Sequence, residues 1–145
     1  MFSRSHTFRI STHRTRRRRL GASATEFAIV APVFFLMVVG FIEFGRALMV
    51  QQVLINASRV GARMASTTGA TSSAVQTAVQ DYTAGVAVPG VTVAISPNPS
   101  TATAGTVVTV TASVPFSSVS WMTSPWFLAG KTLTAESQMR KEGYE

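Results

Sequence analysis

The 16 residues 27–42, FAIVAPVFFLMVVGFI, decide how this chain folds, because none of them carries a charge. As a helix rising 1.5 Å per residue they cover roughly 24 Å, slightly less than the ~30 Å hydrocarbon core of a bilayer. Residues 22–24 and 47–50 lengthen the apolar run, and Glu26, Glu43 and Arg46 stand near its two boundaries. Long side chains at helix ends snorkel to the headgroups, so a single span over about 24–46 is expected. The rival reading is a core helix of a soluble domain. A chain of 145 residues has too little other apolar mass to cover such a helix on all sides.

Outward from this run the charge is unevenly placed. The formal net charge is +7, from 13 Lys+Arg against 6 Asp+Glu. Such a balance usually points to nucleic acid or an anionic membrane. Seven of the arginines, however, precede the run: Arg4, Arg9, Arg14 and the unbroken series 16–19. Residues 22–145 hold six basic and six acidic side chains and are formally neutral. Arginines before the span and few bases closely after it keep the N-terminus cytoplasmic and export the chain beyond Arg46. A secretory signal peptide competes with this reading, but IEFGR succeeds the run where a small-x-small cleavage site would be needed. Residues 67–130 carry one charge, Asp81, so no nucleic-acid partner is expected. A neutral Thr/Ser/Val surface suits close self-association instead.

The composition also speaks against catalysis. There is no cysteine, and both histidines, His6 and His13, lie in the basic segment. Thiolate metal sites are excluded throughout, and Ser-His-Asp or Cys-His chemistry is excluded beyond that segment. No GxxxxGK phosphate loop occurs. The expectation is a protein that is not an enzyme, with no metal, no cofactor and no small-molecule substrate.

Beyond the span, ALMVQQVLINASRVGARMAS (47–66) keeps helix formers and lacks proline. Val50, Leu54, Ala57, Gly61 and Met64 share one face, with Val53 and Val60 beside them. One helix over 24–65, on the order of 60 Å long, is therefore expected, kinked or loosened at Pro32. Residues 72–82 read as a short second helix capped by Ser72 or Ser73. Alternating patterns over 91–95, 106–114 and 131–139 read as three strands. The intervening loop carries Trp121 and Trp126 and is expected to pack on its own sheet. The predicted fold class is α+β: a long N-terminal transmembrane helix extending into a small exported domain with a short helix and a three-stranded antiparallel sheet. The helix supplies the apolar cover that so small a sheet needs. The organisation is a basic cytoplasmic leader over 1–21, of which 1–20 is read as disordered or processed, the long helix over 22–66, and the exported domain over 67–145.

The junction RRRRLGASATEF places a basic run, a glycine, four small residues, a glutamate and an aromatic directly before the apolar helix. This resembles the prepilin peptidase site of type IV pilins. With AP inside the helix, EFGR after it and NASRVGAR further on, the chain resembles the TadE-like family of Flp/Tad pilus pseudopilins. The terminal pattern of a Thr/Val-rich strand, PF, an aromatic loop and a strand ending in MRKE is similar to that family too. The resemblance implies a pilin-like fold and a minor pilin or pseudopilin of the bacterial inner (cytoplasmic) membrane, single-pass, possessing an exported C-terminal domain. It implies cleavage by a prepilin peptidase between Gly21 and Ala22, and packing with other pilin or pseudopilin subunits in a pilus serving adhesion or secretion. Glu26 and Phe27 are the implied assembly residues, the carboxylate pairing with the terminal amine of a neighbouring subunit. Glu43 and Arg46, at i and i+3, are helix-interface candidates or an ion pair at the outer boundary. The alternative is an uncleaved single-span membrane protein whose exported domain binds a partner.

Overall fold

The computed structural model describes residues 14–122 and 130–143, with backbone alone over 14–20. It has helix α1 (Arg14–Ser66), helix α2 (Ser72–Gly85), strand β1 (Thr92–Ser96), strand β2 (Val107–Pro115), a 3-10 turn (Phe116–Ser118) and strand β3 (Thr132–Arg140). The α+β class read from the sequence is the one the chain adopts. Two compact units divide it, Met1–Val39 and Gly40–Glu145, so α1 contributes to both.

Helix α1 spans 53 residues and begins ten positions before the expected Ala24. Over 14–20 the basic segment is therefore helical rather than disordered. Arginine is a good helix former, and no proline interrupts the run. The leader residues 1–13 lie outside the described residues. The helix continues through Pro32, where the missing N–H removes the partner of the Ala28 carbonyl.

In the unit from Gly40 onward, α1 buries Glu43, Ala47, Val50, Leu54, Ala57, Ser58, Gly61, Ala62 and Ala65. Their steps of three and four are those of one helical face. Met64, expected on this face, is 39 % exposed, and Ala65 takes its place. A period of 3.6 turns a strict 3–4 series off the core after a few turns. Small residues dominate the buried stripe, so the other elements approach closely. A Cβ built on Gly61 would lie 2.7 Å from a methyl of Val79 on α2 and 2.9 Å from one of Val110 on β2.

After α1 the chain reverses through Gly69, whose φ of 76° suits glycine. The cap of α2 is Thr71, not Ser72 or Ser73: its Oγ1 accepts from Ala74 N at 3.2 Å. The N-cap side chain must sit outside the first turn to reach the N3 amide, and Thr71 has the extended backbone for it. Val75, Val79 and Thr83 of α2 are buried, and Tyr82 packs partly against the same core.

The three strands form one antiparallel sheet in the order β1-β2-β3. Alternation puts Val108, Val110, Ala112 and Val114 of β2 into the core, flanked by Val93 and Ile95 of β1 and by Leu133, Ala135 and Met139 of β3. Val110 pairs with Ile95 on one side and Ser137 on the other, so the core-facing rows stay in register across the sheet. The opposite face carries Thr92, Ser113 and Thr134 abreast. Helix α1 meets β3 through polar contacts: Gln51 Nε2 donates to Thr134 O at 2.9 Å, and the Ser58 and Ser137 hydroxyls meet at 2.8 Å. Edge groups left open would otherwise recruit a foreign strand.

Beyond β3, Lys141 is 7 % exposed and ties off α1. Its Nζ donates to Thr67 O at 2.7 Å and Ala65 O at 3.4 Å, and Glu142 N donates to Ser66 O at 2.8 Å. A cation on the last carbonyls of a helix satisfies orphan acceptors and complements the dipole.

Candidate functional site

Two groups of residues bear on function, and α1 carries both. The first surrounds Gly21. A Cβ at Gly21 would meet nothing within 4 Å, and residues 21–30 are all exposed. Thr25 Oγ1 donates to the Gly21 carbonyl at 2.9 Å, one turn back along the helix. Glu26 and Phe27 point to the exterior, Phe27 with 71 % of its surface open. No partner for the Glu26 carboxylate exists among the described residues. Ala22 is exposed as well.

The apolar run itself is equally uncovered. Phe27, Ile29, Val30, Val33, Phe34 and Phe35 are all exposed, and the rings of Phe34 and Phe35 meet edge to face at 5.7 Å. The stretch Gly21–Ser66 contains a window of mean hydropathy 2.4 that is 6 % buried. It is the one helix among the described residues long and apolar enough to cross a membrane. A core helix would be mostly buried, and this one is not. So large an apolar surface must meet lipid or other chains.

The second group lies at the upper end of that run. Glu43 is 6 % exposed and accepts two hydrogen bonds from the segment after β2: Ser120 Oγ at 2.8 Å and Trp121 N at 3.2 Å. Ser120 Oγ also accepts from Met122 N at 3.0 Å. Arg46 Nε donates to Val119 O at 3.0 Å, and its guanidinium lies 5.4 Å from the centre of the Trp121 ring. Glu43 and Arg46 thus both clasp residues 119–122 of their own chain. The expectation that Trp121 packs on the sheet fails: the residue is 72 % exposed and meets Arg46 instead. The sheet's apolar face is already filled by α1 and α2, which leaves no room for an indole. Trp126 lies outside the described residues. Sequence reasoning missed the burial of Glu43. The signal was present, since Glu43 stands four and seven residues before the core positions Ala47 and Val50.

Arg59 and Arg63, one turn apart, are exposed, as a solvated helix face requires.

A helix able to cross a membrane, uncovered along its apolar part and built into a small α+β unit by its second half, defines a helix-anchored class of protein. Within that class, residues 21–63 match the model of the TadE-like protein family. The GASATEF, AP, EFGR and NASRVGAR features all fall inside the matched segment, while the sheet lies beyond it. The family read from the sequence is thus the one that matches. No curated protein and no solved structure matches the chain.

Proposed function

We propose that this chain is a TadE-like minor pilin or pseudopilin that takes part in assembling a Flp/Tad-type pilus or secretion apparatus. It enters the inner membrane once, N-terminus inside, and a prepilin peptidase removes its leader after Gly21. It has no catalysis of its own and works by packing its helix against other pilin subunits. The observation that carries this reading is the uncovered apolar run of α1 inside a TadE-like match that begins at Gly21.

The chemistry of the junction supports it. Glycine without neighbours in contact lets backbone enter a narrow proteolytic site once the helix locally opens. The arginines before it hold the leader at the anionic inner leaflet. Cleavage leaves a new amine on Ala22, and Glu26 has no partner of its own among the described residues. An ionised carboxylate among apolar helices is costly unless paired, so an amine from a neighbouring subunit sets the axial stagger between helices.

Mass spectrometry of membrane-extracted protein from cells with the peptidase tests processing. The expected product begins at Ala22, and an intact 1–21 segment would refute cleavage. Glu26→Gln is expected to leave insertion and trimming intact while reducing cross-linking to partner subunits. Unchanged cross-linking would remove the glutamate from the assembly step.

A further inference from the structure

The clasp around Trp121 has a purpose that packing does not explain. A small domain does not ordinarily commit a buried carboxylate to holding an indole in the open. Here Glu43 accepts from Ser120 and from the Trp121 amide, and Arg46 holds the Val119 carbonyl, yet Trp121 remains 72 % exposed. The axial level of that residue is set by its bond to Glu43. Glu43 is the first charged residue after the uncharged run 27–42. Trp121 therefore stands where the apolar part of α1 ends, although it lies 78 positions away along the chain.

We infer that Trp121 and Arg46 form an anchor for the phospholipid headgroup layer, held at that depth by Glu43. This rests on the reading of 27–42 as a membrane span. An indole places its apolar body toward the acyl chains and its N–H toward water, and tryptophan concentrates at this boundary. The Arg46 guanidinium adds a cation over the ring, and with Nε committed to Val119 its two terminal nitrogens, which have no hydrogen bond among the described residues, can take a lipid phosphate. Phe41, Phe44 and Leu48 lie on one face of α1, spread over about two turns around Glu43, and are exposed, so they extend an apolar border there. Residues 67–130 offer one charge, Asp81, so the headgroup contact assigned to this stretch of the unit rests on Arg46 of α1. The anchor fixes the height of the folded unit above the bilayer, which a helix alone leaves free to slide and tilt.

Tryptophan fluorescence of the full chain in phospholipid vesicles tests this, with Trp126→Phe leaving Trp121 as the reporter. Lipids brominated near the headgroup should quench Trp121 more strongly than lipids brominated near the chain ends. Its emission should also lie to the blue of that from a short water-soluble tryptophan peptide. A second protein carries Trp121→Phe, Trp126→Phe and Phe35→Trp, and its emission should be quenched most by the deep bromines. Deep quenching in this control combined with full access of Trp121 to aqueous acrylamide overturns the anchor while leaving the span intact. Loss of quenching in both proteins overturns the span and the anchor together. Glu43→Ala, checked for retained circular dichroism, should erase the shallow-over-deep preference of Trp121. A preference unchanged in that variant would remove Glu43 from the role of depth setter.

Discussion

At the scale of single residues, the buried side chains of Glu43 and Lys141 show how much a few polar contacts decide. Glu43 and Lys141 are both nearly covered, and each faces backbone and hydroxyl partners rather than an opposite charge. Removing such a group leaves its partners desolvated and unpaired, which costs about 1–3 kcal/mol for each group affected. Glu43→Leu orphans the Ser120 hydroxyl and the Trp121 amide together. It is expected to destabilise the folded unit by about 2–4 kcal/mol in urea unfolding of detergent-solubilised protein. Lys141→Met keeps the stem but drops the bonds to the last carbonyls of α1, with an expected loss of about 1–2 kcal/mol in the same assay. Wild-type midpoints for either variant would show that the clasp, or the cap, contributes nothing.

Among the elements, α1 answers to two solvents. Over 27–42 it is uncharged and largely uncovered, and from Glu43 onward it carries one buried stripe and a more polar remainder. The stripe works because its residues are small. Gly61 sits against branched methyls from both α2 and β2 and has no slack. Gly61→Val gains helix propensity of under about 1 kcal/mol and loses more through overpacking, typically about 1–3 kcal/mol. The thermal midpoint of the variant should fall, and the compensating large-to-small change Val79→Ala should recover part of it. Absence of recovery would place the strain elsewhere than at the α1–α2 crossing. The sheet depends on this helix in turn, because three strands with one apolar face need a cover.

For the molecule as a whole, charge is the quantity that the proposed processing would change most. The chain carries a formal +7, and the proposed cut would remove all seven arginines that precede it with residues 1–21. The product over 22–145 is formally neutral. Isoelectric focusing should therefore show a strongly basic precursor and a product near neutrality, the two differing by about seven charges. A basic mature species would contradict removal of the leader. A neutral product would suit the proposed assembly of like subunits, since a net charge of one sign would make every added copy repel the others.

Hydropathy and periodicity are enough to read the element types from the chain. An uncharged run of 16 residues, a 3–4 apolar series and three alternating segments each depend on neighbours in sequence, and such patterns survive without knowledge of contacts. The strand bounds agree within a residue or two, and the TadE-like resemblance rests largely on short local motifs in α1. Choices between competing partners are another matter, and the linear pattern leaves them undecided. Thr71 rather than Ser72 caps α2 because its hydroxyl is the one that reaches the Ala74 amide. Met64 yields its core position to Ala65, which is fully buried. Glu43 and Arg46, four and one residues before Ala47, turn to the segment after β2 instead of to lipid. Their hydrogen-bonding partners arrive from more than 70 positions away along the chain. Burial of a charge depends on who else is present to offset its lost water, and that is a property of the folded neighbourhood and not of the sequence around it.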